Sequence, residues 1–96
     1  MNKKQLPKTV RIWKWEVDRY NPVSVSKNIE FLDVQEQNGK IVVWGEVDIN
    51  EEQKEIQFVT IGTGLEFYQG LNYIGTVQLD HTLVVHVYYR DVPTKI

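Results

Sequence analysis

The chain has 96 residues, 42 % hydrophobic and 25 % charged, with a formal net charge of −2 and no cysteine. That length makes one domain with a modest core, and the composition is that of an ordinary globular protein rather than a disordered one. Lack of Cys excludes disulfides, thiol chemistry and sulfur-ligated metals, and the weak negative charge excludes the strongly basic surface that a long nucleic acid needs.

Residues 1–9 carry Lys3, Lys4 and Lys8 but lead into no apolar run. They read as a flexible N-terminal segment rather than a signal peptide, and no stretch reaches membrane-spanning length. The expected address is therefore cytoplasmic. Residues 10–92 read as a single β domain, and 93–96 as a tail. The stretch RIWKWEVD (11–18) alternates Trp13, Trp15 and Val17 against Ile12, Lys14 and Glu16, which predicts a strand over 10–17. Its two indoles suit either a core or a stacking surface. Lys14, on the opposite face, suits a phosphate contact. A short strand over 23–26 follows.

Strands over 29–37 and 40–48 flank Gln37-Asn38-Gly39-Lys40, the strongest turn signal in the chain. Both central residues tolerate the positive φ of a type I′ turn, so residue 37 pairs with 40, 34 with 43 and 33 with 44. Alternation then puts Leu32, Val34, Ile41, Val43 and Val47 on the core face. Phe31, Asp33, Gln35, Val42, Trp44 and Glu46 share the other. Trp44 is thus a large aromatic on a polar face, a candidate ligand contact. Glu51 and Glu52 read as solvated charge.

A strand over 54–62 ends in Gly62-Thr63-Gly64. A phosphate loop needs its glycines to feed a helix N-terminus or a nest of backbone N–H groups, and no helical period follows. The stretch reads first as a corner needing unusual backbone angles, and second as an anion contact. Residues 63–71 have room for one irregular turn.

The last pair of strands, 72–79 and 83–90, turns at Asp80-His81-Thr82. A two-residue loop would mix core with polar side chains, so burial selects a three-residue loop. Tyr73, Gly75, Val77 and Leu79 then join Leu83, Val85, Val87 and Tyr89 inside. Ile74, Thr76, Gln78, Val84, His86, Tyr88 and Arg90 share the opposite face, where hydroxyl, flat-ring and cationic groups converge. Gly75, in mid-strand, marks a bulge or a close approach, with Tyr73 or an indole as the expected neighbour.

No 3.6-residue apolar period occurs anywhere, so the expected fold is all-β, with no long helix. Short connections predict antiparallel pairing of neighbours in a meander, closed into a small sandwich or partly closed barrel. His81 and His86 cannot make a zinc site without scattered carboxylates, and no metal site is expected. Serine occurs only at 24 and 26, and no nucleophile–base–acid arrangement is suggested. A binding protein without catalytic residues or cofactor is expected. A homo-oligomer is expected too, because the aromatic surface exceeds what a small monomer exposes.

Trp13-Lys14-Trp15, Gln37-Asn38-Gly39, Trp44, Gly62-Thr63-Gly64, Leu71-Asn72-Tyr73-Ile74-Gly75-Thr76 and Val85-His86-Val87 occur in that order. Together, over about residues 10–90, they resemble a widespread family of short phage-encoded proteins carried as a domain of unknown function. The resemblance implies a non-enzymatic anti-defence protein in the host bacterial cytoplasm. It further implies a sponge for a small cyclic-nucleotide immune signal. The contacts expected for such a ligand, from the convergence of side chains on the polar face of the 72–90 hairpin, are Lys14, Trp44, Gly62, Thr63, Gly64, Thr76, His86, Tyr88 and Arg90, near a subunit interface across which a neighbour's Trp44 or Lys14 can reach. Trp13 and Trp15 stand where the family usually has Tyr, and 63–71 is longer and more aromatic here. The other function open at this point is a protein-binding inhibitor, docking a sheet edge or aromatic face on a host factor.

Overall fold

A computed structural model describes residues 9–93 of the chain. The expected flexible ends, 1–9 and 93–96, lie outside that range except for Thr9 and Pro93. Seven strands appear among the described residues: β1 (Val10–Glu16), β2 (Val23–Ser26), β3 (Glu30–Gln37), β4 (Lys40–Asp48), β5 (Gln53–Gly62), β6 (Asn72–Gln78) and β7 (Val84–Asp91). All ladders are antiparallel. They form two sheets, β1-β4-β3 and β2-β5-β7-β6, in an all-β, sandwich-like arrangement that does not close into a barrel. No helix occurs among the described residues, so none is long and apolar enough to cross a membrane.

Chain neighbours pair only in the hairpins β3–β4 and β6–β7; the other ladders join strands distant in sequence. β4, β5 and β7 take the central places where both edges are paired, while β1, exposed at six of its seven positions, takes an outer one. The core between the sheets holds Val25, Ile29, Val34, Val43, Ile56, Phe58, Val77, Val85 and Val87. Ser26, at the end of β2, is the buried polar residue among the described residues. Its hydroxyl accepts from the Asp48 amide at 2.9 Å and donates to the Asp48 carbonyl at 3.3 Å, stitching one sheet to the other.

The first hairpin has the expected register, with Gln37 opposite Lys40 and Val34 opposite Val43. Asn38 and Gly39 take φ of 53° and 81°, as a type I′ turn requires. The alternation fails one step further on. A bulge between Phe31 and Asp33 leaves Leu32 unpaired and reverses the faces before it. Leu32, expected inside, is exposed. Phe31, expected outside, packs against Trp15, Phe58 and Tyr89 with ring centroids 5.7, 5.9 and 5.1 Å away.

The second hairpin repeats the lesson. Its loop has the expected three residues, with the Leu79 amide donating to the Leu83 carbonyl at 2.8 Å. A bulge between Tyr73 and Gly75 then sets Tyr73 opposite Tyr88. Tyr73, expected inside, lies exposed on the outer face, and Ile74, expected outside, packs on the core. Leu83, at the strand entrance, is exposed rather than buried. The neighbour of Gly75 is neither Tyr73 nor an indole: a Cβ there would collide with Val34 Cγ1. Gly75 thus lets β6 of one sheet cross close to β3 of the other.

Candidate functional site

The outer face of the four-stranded sheet is built by register. His86 stands opposite Ile61 on β5 and Thr76 on β6, and Tyr88 stands opposite Val59 and Tyr73. Beyond the end of β5 the chain turns at Gly62–Leu65. The Leu65 amide donates to the Gly62 carbonyl at 3.2 Å, and Gly64 takes φ of 87° at the third position of the turn. This corner throws 63–71 back across the sheet. Phe67 comes to rest with its ring centroid 5.2 Å from that of Tyr88, and Tyr73 lies 5.2 Å from Tyr88 on another side.

Under the rings runs one chain of hydrogen bonds. Thr63 Oγ1 lies 2.8 Å from His86 Nε2, and Thr76 Oγ1 lies 3.0 Å from Nδ1. The Tyr73 hydroxyl closes the chain on Thr76 Oγ1. A neutral imidazole has one donor and one acceptor nitrogen, and a threonine hydroxyl can serve either. With the tyrosine donating inward, each hydrogen passes along to Thr63, whose own O–H is then left to point at a ligand. Either way the ring plane of His86 is fixed from both ends. A pocket of about 190 Å³ opens here, floored by buried Ile61 and walled by Thr63, Leu65, Phe67, His86 and Tyr88.

Of the nine sequence-predicted contacts, Gly62, Thr63, Gly64, His86 and Tyr88 line this pocket, and Thr76 holds His86 from behind. Arg90 continues the same face of β7, opposite Gln57, and makes no ion pair among the described residues. Lys14 and Trp44 do not join them within one chain. They stand opposite each other on β1 and β4, on the outward face of the other sheet. Sequence reasoning missed Tyr73 and Phe67. The bulge beside Gly75 was the available signal for Tyr73. Nothing local placed Phe67, because a corner, not a period, brings it back over the sheet.

The arrangement offers stacking, hydroxyl contacts and one nearby guanidinium. No three His, Asp or Glu side chains come together to hold a metal ion among the described residues. Fold and site together define a small all-β module with an aromatic-walled pocket on the outer face of its larger sheet. The chain belongs to the family described as Domain of unknown function (DUF7352), whose model matches residues 8–95. No curated protein and no solved structure matches it.

Proposed function

We propose that this chain is a non-enzymatic binding protein that takes the base of a small nucleotide against Tyr88 and Phe67. The observation that carries this reading is the His86 clamp. Both ring nitrogens are held by threonine hydroxyls, and Nδ1 meets Thr76 rather than the orienting carboxylate that a catalytic histidine uses. A histidine so held, with no orienting acid behind it, suits a wall and a hydrogen-bond relay. A pocket of about 190 Å³ is smaller than those that enclose a whole drug-sized ligand. It fits one ring system, with sugar and phosphate left along the sheet toward Arg90. The biological role we attach to it is sequestration of a cyclic-nucleotide signal of host immunity by a phage-encoded protein in the host cytoplasm.

Mass spectrometry of material released by heat from the purified protein tests the ligand class. A nucleotide at near one equivalent per site supports the reading, and its recovery unchanged after prolonged incubation supports binding over turnover. Titration calorimetry with a panel of cyclic nucleotides then ranks them. No binding by any of them, with no released small molecule, would sink it.

One observation favours a second reading. Leu65 and Phe67, which line the pocket, lie exposed, as does Tyr68 next to them in the chain, to 88 %. An apolar rim around a shallow pocket also suits a protein partner occluded by this face. A partner captured by the parent protein and lost with Tyr68→Ser, in the absence of nucleotide binding, is the result that would select it.

A further inference from the structure

We infer that the free edge of β1 is a docking surface for a second copy of this chain, paired antiparallel about Trp13. Among the described residues β1 bonds β4 on one side only and is the outermost strand of its sheet. Six of its seven residues are exposed, Ile12 to 66 % and Trp13 to 53 %. It carries no proline and no bulge, two of the devices that blunt such an edge, while its charged residues, Arg11, Lys14 and Glu16, constrain the register in which a second strand can pair. Its inner face is also incompletely covered, because a groove of about 290 Å³ lined by Arg11, Trp13, Trp15 and Ser24 opens beside it.

Which backbone groups are free follows from the ladders. The Val17 amide donates to the Ile41 carbonyl, so residues of the same parity, Trp15, Trp13 and Arg11, direct their polar groups to β4. The two-residue turn gives the same parity independently. Its closing pair, Gln37 and Lys40, is hydrogen-bonded, which leaves the odd residues of β4 for β1. The amides and carbonyls of Val10, Ile12, Lys14 and Glu16 therefore point to the open edge.

A twofold antiparallel pair must match these even residues with even residues. Only the register that sets Trp13 against its own copy pairs all seven residues of both strands. It places Ile12 against Lys14 of the copy, Val10 against Glu16 and Arg11 against Trp15. The last is a cation–π pair, and the central indoles meet in a non-hydrogen-bonded pair, where side chains are closest. Moving one allowed step one way sets Lys14 against Lys14 of the copy, two like charges directly opposed. Moving the other way leaves Trp15 and Glu16 without partners. The product is an isologous dimer with a continuous six-stranded sheet, β3-β4-β1 joined to β1-β4-β3 of the copy.

The chain lacks cysteine, so single cysteines test this register cleanly. In the predicted dimer the two Trp13 Cα atoms lie about 4.5 Å apart, within disulfide reach. The two Arg11 Cα atoms are offset by four residues, about 13 Å, and are out of reach. Mild oxidation should therefore cross-link most of Trp13→Cys into covalent dimer and almost none of Arg11→Cys. Sedimentation at tens of micromolar should give twice the 11.3 kDa chain mass for the parent. Ile12→Pro, which removes an outward amide that β4 does not use, should give the single mass with an unchanged circular dichroism spectrum. A monomeric parent overturns the proposal. So does a dimer in which Arg11→Cys cross-links as readily as Trp13→Cys, or one that a folded Ile12→Pro leaves intact. If Ile12→Pro does not fold, the two cysteine variants decide alone.

Discussion

At the scale of single residues, the proposed site rests on a few hydroxyls. Thr63 is exposed, and its Oγ1 meets His86 Nε2 at 2.8 Å. Thr63→Val should leave unfolding free energy within about 0.5 kcal/mol of the parent, as for other exposed positions. Nucleotide affinity should fall at least tenfold, about 1.4 kcal/mol. Denaturant unfolding and titration calorimetry on one preparation read both. Tyr88→Ala should cost as much or more, since stacking contributes roughly 1–3 kcal/mol per base. A different residue carries the pH dependence of folding. The Asp80 carboxylate accepts from the Thr82 amide, the Leu83 amide and the Thr82 hydroxyl, and these bonds lower its pKa from the ordinary 3.8. A folded-state pKa below the unfolded one adds stability above about 3.8, and that stability is lost as pH falls through the folded value. Urea unfolding at about pH 5 and about pH 2.5 should therefore show a smaller acid loss for Asp80→Ala than for the parent. Asp18, whose pKa is lowered first by its bond to the Asn21 side chain and then by the Tyr20 amide, keeps its own share of that loss in both.

At the scale of elements, what was legible in the sequence divides cleanly at the two bulges. The Asn38-Gly39 turn is local chemistry, and so is the demand that Val77, Val85 and Val87 share a face; register and strand limits followed from them. The alternation carried as far as Asp33 and Gly75 and then inverted. A bulge is a decision of packing, not of local preference. Phe31 fills the space among Trp15, Phe58 and Tyr89 better than Leu32 would, and only the assembled sheets present that space. The candidate face was readable because His86, Tyr88 and Thr76 lie on the regular side of the second bulge. Tyr73 was not, because it lies beyond it. The same geometry yields a test. Gly75→Ala places a Cβ on Val34 Cγ1 and should destabilise the fold by about 1–3 kcal/mol. Val34→Ala removes the obstructing methyls, so the double variant should recover part of that loss. A double-mutant cycle should show coupling of roughly 0.5–3 kcal/mol. Purely additive losses would mean that this close approach of β3 and β6 is not what requires the glycine.

At the scale of the whole molecule, the position of the pocket separates binding from assembly. Every pocket-lining side chain comes from β5, β7 or the 63–71 segment of one chain, and β6 of that chain supplies the hydroxyls behind His86. β1 is the outer strand of the other sheet. Lys14 and Trp44 stand on that sheet's outward face, so a copy docked at β1 brings them beside its own kind rather than to the pocket. In the proposed dimer the pocket is therefore built within one chain, with Lys14 and Trp44 of the copy away from it. Its consequence is measurable. A folded Ile12→Pro monomer should bind the same nucleotide with a Kd within about twofold of the parent, a difference near 0.4 kcal/mol. Tyr88→Ala should lose affinity in parent and monomer alike. Stoichiometry should stay at one ligand per chain in both, because no half-site is shared. If the monomer loses affinity tenfold while its circular dichroism is unchanged, a residue of the copy reaches the ligand, and Lys14→Ala and Trp44→Ala in the dimer would then identify it. If the monomer binds as the parent does, dimerisation serves something other than recognition. Joining two three-stranded sheets through β1 gives two pockets per particle, and each pocket then holds a ligand with two bases by one base alone, never clamped across a shared interface.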